Sequence, residues 1–196
     1  MVEDRLRLLE RALDGTGTVL ERIRPEDQAS APTPCTQWNL RQLVNHVVVD
    51  VQQFTRMAAG ARYEPQQGDV IGDDWLATYR AASRELIAAW QRPGALDQIA
   101  HMPFGDVPAD WQLGQQMTDL AVHAWDLARA GGLAPRMDDE VVEASLEWGR
   151  ANLKPEFRGA TFGSEVDVPP SAPTYDRLVG FFGRRPDWQP SGSAGA

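Results

Sequence analysis

The chain has 196 residues, 42% of them hydrophobic, which suffices for one ordinary core, so we expect a single domain over residues 1–188. Asp and Glu total 28 against 19 Lys and Arg, and the net charge of −9 argues against binding to DNA or RNA. The single cysteine, Cys35, excludes an internal disulfide framework and fits a reducing cytoplasm. No stretch approaches about 18 consecutive apolar residues, and the N-terminus lacks the pattern of a secretory signal, so we expect neither a membrane span nor a leader.

The first part of the chain predicts one helix and a break. Leucines recur at helical spacing over residues 4 to about 24, although Gly15 and Gly17 weaken the middle of this pattern. Three prolines between residues 25 and 34 then predict a non-helical connector.

A capping signal starts the second helix. The Asn39 side chain can accept a hydrogen bond from the backbone of Gln42, whose own side chain can reach back, as in a capping box. The core stripe of this helix consists of Leu40, Leu43, Val44, Val47, Val51 and Phe54. At about 100° per residue, His46 falls on the border of that stripe.

The rest of the chain alternates helical patterns with breaks rich in proline and glycine. Further helices are predicted over residues 73–90, 138–152 and 174–182, and between them along an apolar stripe from Leu113 to Leu127 that Gly131-Gly132 ends. Residues 95–109 lack a helical period and predict a short hairpin or an irregular crossover. The pattern as a whole predicts an all-α bundle, and the tail over residues 189–196 is expected to be disordered.

Asp119 and His123 stand four residues apart on the fourth of the long helices, which places a carboxylate and an imidazole on one face. Both lie near the border of the apolar stripe, as His46 does on the second helix. We therefore predict that His46, Asp119 and His123 bind a divalent metal in a cleft between packed helices. Zinc is favoured, and the same ligands suit Fe(II) or Ni(II). A satisfied core histidine and a plain Asp–His hydrogen bond are the structural alternatives.

Four further residues are candidates for a supporting role. Cys35 precedes a helix start, where the macrodipole favours a thiolate, or it simply packs in the proline turn. Asp126 could orient an imidazole from behind, or lie on a solvated helix face. His101 could act as an acid or base, or be an exposed loop histidine. Arg129 could bind an anionic substrate, or complement the helix dipole.

Three stretches, TPCTQWNLRQLVNHV, DLAVHAWDLARAGG and RLVGFFGRRPDW, resemble in order and spacing the mycothiol-dependent maleylpyruvate isomerase-like branch of the DinB superfamily. This resemblance implies a DinB-like four-helix bundle with short additional helices. It also implies a metal held by a His on the second helix and by a carboxylate–x3–His pair on a later one, which carries onto His46, Asp119 and His123. The isomerase has Glu where this chain has Asp119, and it is longer at its C-terminal side.

The residues and the resemblance together lead to a hypothesis about function. A divalent metal would activate a low-molecular-weight thiol, which the resemblance implies to be mycothiol, for S-transfer to a small electrophile or for its isomerisation. A hydrolase or lyase that uses metal-bound water and a non-catalytic metal-binding helical protein are the alternatives. A small-molecule substrate is expected, and a homodimer is compatible with the sequence.

Overall fold

The computed structural model describes residues 2–64, 68–102, 104–159 and 162–190. Within these ranges the chain forms seven α-helices, two one-turn 3-10 helices and one hairpin, which confirms the all-α class and the predicted hairpin. The elements are α1 (Val2–Leu20), α2 (Pro25–Gln28), α3 (Leu40–Ala58), α4 (Trp75–Trp90), β1 (Ile99–Met102), β2 (Gly105–Pro108), α5 (Ala109–Ala130), α6 (Asp139–Asn152) and α7 (Thr174–Phe181). From residue 191 onward, the tail predicted to be disordered lies outside the described residues.

Four principal helices build the core. α1 packs along α5, α3 packs against α4 and α5, and α1 also contacts α4. Helix α6 covers another side of α5, and α7 packs on α6. Because α5 has neighbours on several sides, most of its residues are buried, including polar ones such as His123 and Asp126. Side chains of α3 and α5 that face each other therefore lie inside the bundle or at its border with solvent.

Gly15 and Gly17 lie within α1. A Cβ atom at Gly15 would stand 2.6 Å from the sulfur of Met137, whereas one at Gly17 would stand 3.6 Å from the Tyr79 ring. The end of the Met137 side chain thus lies close to Gly15, and a larger residue there would require that flexible end to move. The helical pattern tolerates both glycines because packing of the apolar face stabilises the helix more than its propensity weakens it.

The connector after α1 is partly helical, so the prediction of a wholly non-helical segment is wrong. α1 ends at Leu20, short of the predicted residue 24, and Pro25 opens the one-turn helix α2. Proline fits the first turn of a helix, because the N–H that it lacks would have no partner there. The expected capping box at α3 is confirmed, with Asn39 and Gln42 each accepting from the other's backbone N–H at 2.9 and 3.0 Å.

The hairpin stands between α4 and α5 and buries a small separate apolar cluster. Strands β1 and β2 pair antiparallel, and His101 lies opposite Asp106. Among the helices in the described ranges, none combines the length and apolar character needed to cross a bilayer.

Candidate metal centre

His46 of α3 and His123 of α5 meet at the face that the two helices share. Their ring centroids lie 4.9 Å apart, with the rings edge to face. Trp38, at the end of the connector, lies against His46 with a centroid distance of 4.2 Å. The side chain of His46 is 28% exposed and that of His123 is 8% exposed. The prediction that these two histidines converge therefore agrees with the geometry, at a border between core and solvent.

Each histidine also has a carboxylate on its own helix. His46 Nε2 lies 3.1 Å from Asp50 Oδ2, and His123 Nε2 lies 3.8 Å from Asp119 Oδ1. Both pairs are spaced four residues apart, so each helix presents an imidazole and a carboxylate on one face. We name His46 and Asp50 the α3 half-site, and Asp119 and His123 the α5 half-site.

The electrostatics of the two half-sites favour a positive charge between them. Burial, followed by the negative charge of Asp119, raises the pKa of Asp50 to about 8. Burial also raises the pKa of Asp119. Burial alone would lower the pKa of His123, but Asp119 and Asp126 outweigh it and raise that pKa well above 6.5. Burial and the positive charges of His123 and Arg184 lower the pKa of His46 to about 3. Carboxylates crowded in this way are stabilised by a cation.

Asp126 lies behind His123 and is completely buried, so the solvated helix face considered from the sequence is excluded. Its Oδ2 is 3.0 Å from His123 Nδ1, and Arg184, after α7, donates to it from Nη2 at 2.8 Å. Burial would raise the pKa of Asp126, but Arg184 and His123 lower it to about 2. Because an ionised carboxylate only accepts hydrogen bonds, Nδ1 of His123 carries a proton toward Asp126.

Cys35 completes this network behind His123. Its thiol donates to Asp126 Oδ2 at 3.2 Å and accepts from Arg184 Nη2 at 3.4 Å. Thr33 holds the turn, since its hydroxyl lies 2.9 Å from the carbonyl oxygen of Cys35. Among the residues that the structure describes, Cys35, His123 and Asp126 form the one set of three whose ligand atoms all lie within 4.8 Å of one another, a set that could hold a metal ion. The predicted set of His46, Asp119 and His123 is spaced more widely.

Two residues with predicted supporting roles are engaged elsewhere. His101 is exposed on the hairpin, where its Nδ1 lies 2.8 Å from Asp106 Oδ1. Arg129 donates to the carbonyl oxygen of Pro186 at 2.7 Å and lies over the Trp125 ring. His101 thus pairs within the hairpin, and Arg129 holds the C-terminal segment against α5. None of these contacts is with a residue of the two half-sites.

Two residues of the centre were missed by sequence reasoning. Asp50 could have been found, because it follows His46 at the same spacing that singled out Asp119 and His123. Arg184 could not, since it lies 58 residues from Asp126 and no periodic pattern links the two.

A small cavity of about 50 Å³, with room for one or two water molecules, reaches the α5 half-site. It is lined by Gln115, Thr118, Asp119, Val122, His123, Trp148, Phe162, Phe182 and Arg184. The three aromatic rings in this lining limit the access of water to His123. A larger surface groove of about 550 Å³ lies by the starts of α6 and α7, and its lining contains no histidine or cysteine.

Comparison with known proteins identifies the family of this chain. Residues 9–128 match the family described as the mycothiol maleylpyruvate isomerase N-terminal domain. Two proteins of Mycobacterium tuberculosis are each 34% identical to this chain: Uncharacterized protein Rv0738 of strain H37Rv and Uncharacterized protein MT0763 of strain CDC 1551. The alignments cover 92% of this chain and 98% of each relative.

Solved structures share the fold. The crystal structures of the mycothiol-dependent maleylpyruvate isomerase and of a mutant of it superpose on this structure with TM-scores of 0.63 and 0.62. Their sequences are 15% and 14% identical to this chain, and the superpositions cover 96% of this chain and 82% of each isomerase chain. At that identity the likeness establishes the fold alone. The family match and the 34% identical relatives carry the assignment. The chain is thus a member of the mycothiol maleylpyruvate isomerase N-terminal domain family.

Proposed function

We propose that this protein is a metal-dependent enzyme that activates a low-molecular-weight thiol of the mycothiol type. The activated thiol would either become attached through its sulfur to a small electrophile (S-transfer) or catalyse the isomerisation of that electrophile. The observation that carries the proposal is the meeting of His46 and His123, each with a carboxylate on its own helix. Membership of the family supports the thiol, because mycothiol is named in the family's description and in the names of the solved isomerase structures.

The donor atoms of the two half-sites fit a divalent ion. Imidazole nitrogen and carboxylate oxygen are ligands that zinc, iron(II) and nickel(II) accept. His46, Asp119 and His123 would hold the ion, as the sequence predicts. The negative charge of Asp119 also acts on Asp50, and it adds to burial in raising the pKa of Asp50, so a cation near both carboxylates would be favourable.

The alternative set of Cys35, His123 and Asp126 is less suited to a metal. The guanidinium group of Arg184 already lies within hydrogen-bonding distance of Cys35 and Asp126, so a positive charge is in place there. Asp126 also holds the proton on His123 Nδ1, which leaves Nε2 to face the half-sites. A histidine that donates one ring N–H to a carboxylate and binds metal through the other nitrogen is common in metalloproteins.

The surrounding residues would prepare this centre for chemistry. Asp126 fixes the tautomer and orientation of His123, and Trp38 restricts the ring of His46. The aromatic rings of Trp148 and Phe182 limit water around the α5 half-site, which strengthens electrostatic interactions there. A bound divalent ion supplies a Lewis acid that favours the thiolate form of a thiol at neutral pH.

In the proposed reaction the thiol acts as a nucleophile. The thiolate sulfur donates a lone pair to an electrophilic carbon, and the thiol proton passes to solvent. In S-transfer by substitution, the bond to the leaving group breaks and its electron pair departs with that group. In S-transfer by addition, the π electrons move to the neighbouring carbon, which takes up a proton from solvent. In isomerisation, the π electrons move onto the adjoining electron-withdrawing group, the new single bond rotates, and loss of the same thiolate restores the double bond.

An activity assay tests this proposal. Protein loaded with Zn²⁺, Ni²⁺ or Fe²⁺ is mixed with mycothiol and a panel of electrophiles that includes maleylpyruvate. We expect turnover by the wild type and by His101→Ala, and a background rate for His46→Ala. Equal rates for the wild type and His46→Ala, or no rate with any electrophile, would overturn the proposal.

Metal analysis of two variants separates the two ligand sets. If the ion binds between the half-sites, His46→Ala loses it and Cys35→Ala retains it. The opposite result would assign the ion to Cys35, His123 and Asp126. Each variant is compared by circular dichroism with the wild type, so that loss of metal is not confused with loss of fold.

A further inference from the structure

Asp50 belongs to the candidate centre but has no role in the three-ligand set. Its carboxylate lies 3.1 Å from His46 Nε2, and its side chain is 27% exposed, close to the 28% of His46. Helix α3, which carries Asp50, packs against α5, and the His46 ring that Asp50 contacts lies 4.9 Å from the His123 ring between centroids. The Asp50 carboxylate therefore lies beside the two histidines predicted as ligands.

The spacing within the α3 half-site is that of two ligands on one ion. Donor atoms bound at about 2.1 Å lie roughly 3.0–3.4 Å apart, for angles between octahedral and tetrahedral. The Asp50–His46 distance of 3.1 Å falls within this range, whereas the Asp119–His123 distance of 3.8 Å exceeds it. The donor atoms of the α3 half-site are therefore already spaced for binding to one ion, whereas those of the α5 half-site lie too far apart.

Charge balance also favours a ligand role for Asp50. One carboxylate and two neutral imidazoles around a divalent ion leave a net charge of +1 inside the bundle. A second carboxylate, from Asp50, brings the sum to zero, and burying a neutral group costs less free energy than burying a charged one.

We propose that Asp50 is a fourth protein ligand, so that the ion is held by His46 and Asp50 of α3 and by Asp119 and His123 of α5. This inference rests on the proposed function, and it adds a ligand to the metal centre assumed there. Four protein ligands fill a tetrahedral zinc site but leave two positions open on a six-coordinate ion. The set therefore favours an ion such as Fe(II), Ni(II) or Co(II) for catalysis, with the open positions available to substrate.

Cobalt(II) provides a test that does not depend on activity. The dissociation constant for Co²⁺ is measured by titration calorimetry, and the visible absorption spectrum is recorded at saturation, for the wild type, Asp50→Asn and Asp106→Asn. Asp106 is the matched control, because it also pairs with a histidine, His101, but on the exposed hairpin. We expect Asp50→Asn to weaken Co²⁺ binding at least about 10-fold and to shift the spectrum, with Asp106→Asn unchanged in both.

The spectrum decides the outcome, because it reports on the atoms bound to the ion. Weaker binding with an unchanged spectrum would mean that Asp50 only orients His46, and it would overturn the proposal, as would no change in either measurement. In both cases the proposed function stands, since the wild type binds metal. Failure of the wild type to bind Co²⁺ or Zn²⁺ would overturn both proposals. If Asp50→Asn does not fold, Asp50→Glu replaces it, because moving the carboxylate by one methylene also changes the ligand field.

Discussion

Arg184 donates to the Asp126 carboxylate from both Nε and Nη2, at 3.2 and 2.8 Å, and thereby joins the segment after α7 to the middle of α5. The Asp126 side chain is fully buried and that of Arg184 is 14% exposed. The same guanidinium also contacts the thiol of Cys35, so three distant parts of the chain meet behind His123.

Arg184→Met should destabilise the fold strongly. The substitution removes the guanidinium group that donates to the buried Asp126 carboxylate and leaves His123 as its remaining charged partner, so we expect a loss of about 3 kcal/mol of unfolding free energy, the low end for a broken buried pair. Arg185→Met is the matched control, because Arg185 pairs with Asp187 on the surface and such pairs contribute roughly 0–1 kcal/mol. Urea unfolding of the metal-free variants measures both effects. Equal losses in the two variants would contradict the structural role given to Arg184.

Asp126 should also make stability depend on pH in the acid range. Its folded pKa of about 2 lies below the ordinary value of 3.8, so its contribution is complete above about pH 4 and is lost as the pH falls toward 2. We expect the difference in unfolding free energy between wild type and Asp126→Asn to shrink by about 1 kcal/mol from pH 5 to pH 3. Urea unfolding at the two pH values provides the comparison. A difference that stays constant would show that this carboxylate has no lowered pKa.

Two glycines on principal helices should respond oppositely to alanine. At Gly114, a Cβ atom would lie 2.2 Å from the indole of Trp148, which packs edge-on against Trp111 at a centroid distance of 5.2 Å. Gly114→Ala should therefore cost about 1–3 kcal/mol through overpacking. Gly17→Ala meets only ordinary van der Waals contact at 3.6 Å and should stabilise α1 by up to about 1 kcal/mol. Thermal unfolding gives the sign of each change, and a loss at both positions would contradict the distinction.

Metal binding should stabilise the folded protein, because the ligands converge only in the native state. Zn²⁺ or Co²⁺ at about 100 times its dissociation constant should add about 2.7 kcal/mol, seen as a rise in Tm that a chelator reverses. His123→Ala should abolish this rise, since both candidate ligand sets include His123. His101→Ala should retain it, because His101 lies on the hairpin. A rise of equal size in both variants would place the metal elsewhere.

Local interactions explain why much of the fold was predictable. The capping box of Asn39 and Gln42 and the Asp138 cap of α6 involve residues two or three positions apart. The prediction failed at Pro25, where a proline that usually interrupts a helix instead begins one. The sequence also did not predict that Arg129 contacts the C-terminal segment, because this contact depends on where that segment packs.

The sequence by itself determined that a carboxylate and a histidine share one helix face, because helical periodicity is a local property of the backbone. This holds for Asp119 with His123 and equally for Asp50 with His46. Only the tertiary structure decided that the two pairs face each other, and that Cys35 and Arg184, 91 and 58 residues from Asp126, converge on that carboxylate. Such contacts follow from how α3, α5 and the segment after α7 pack around a common core. That packing minimises exposed apolar surface over the whole chain, so no single stretch of sequence encodes it.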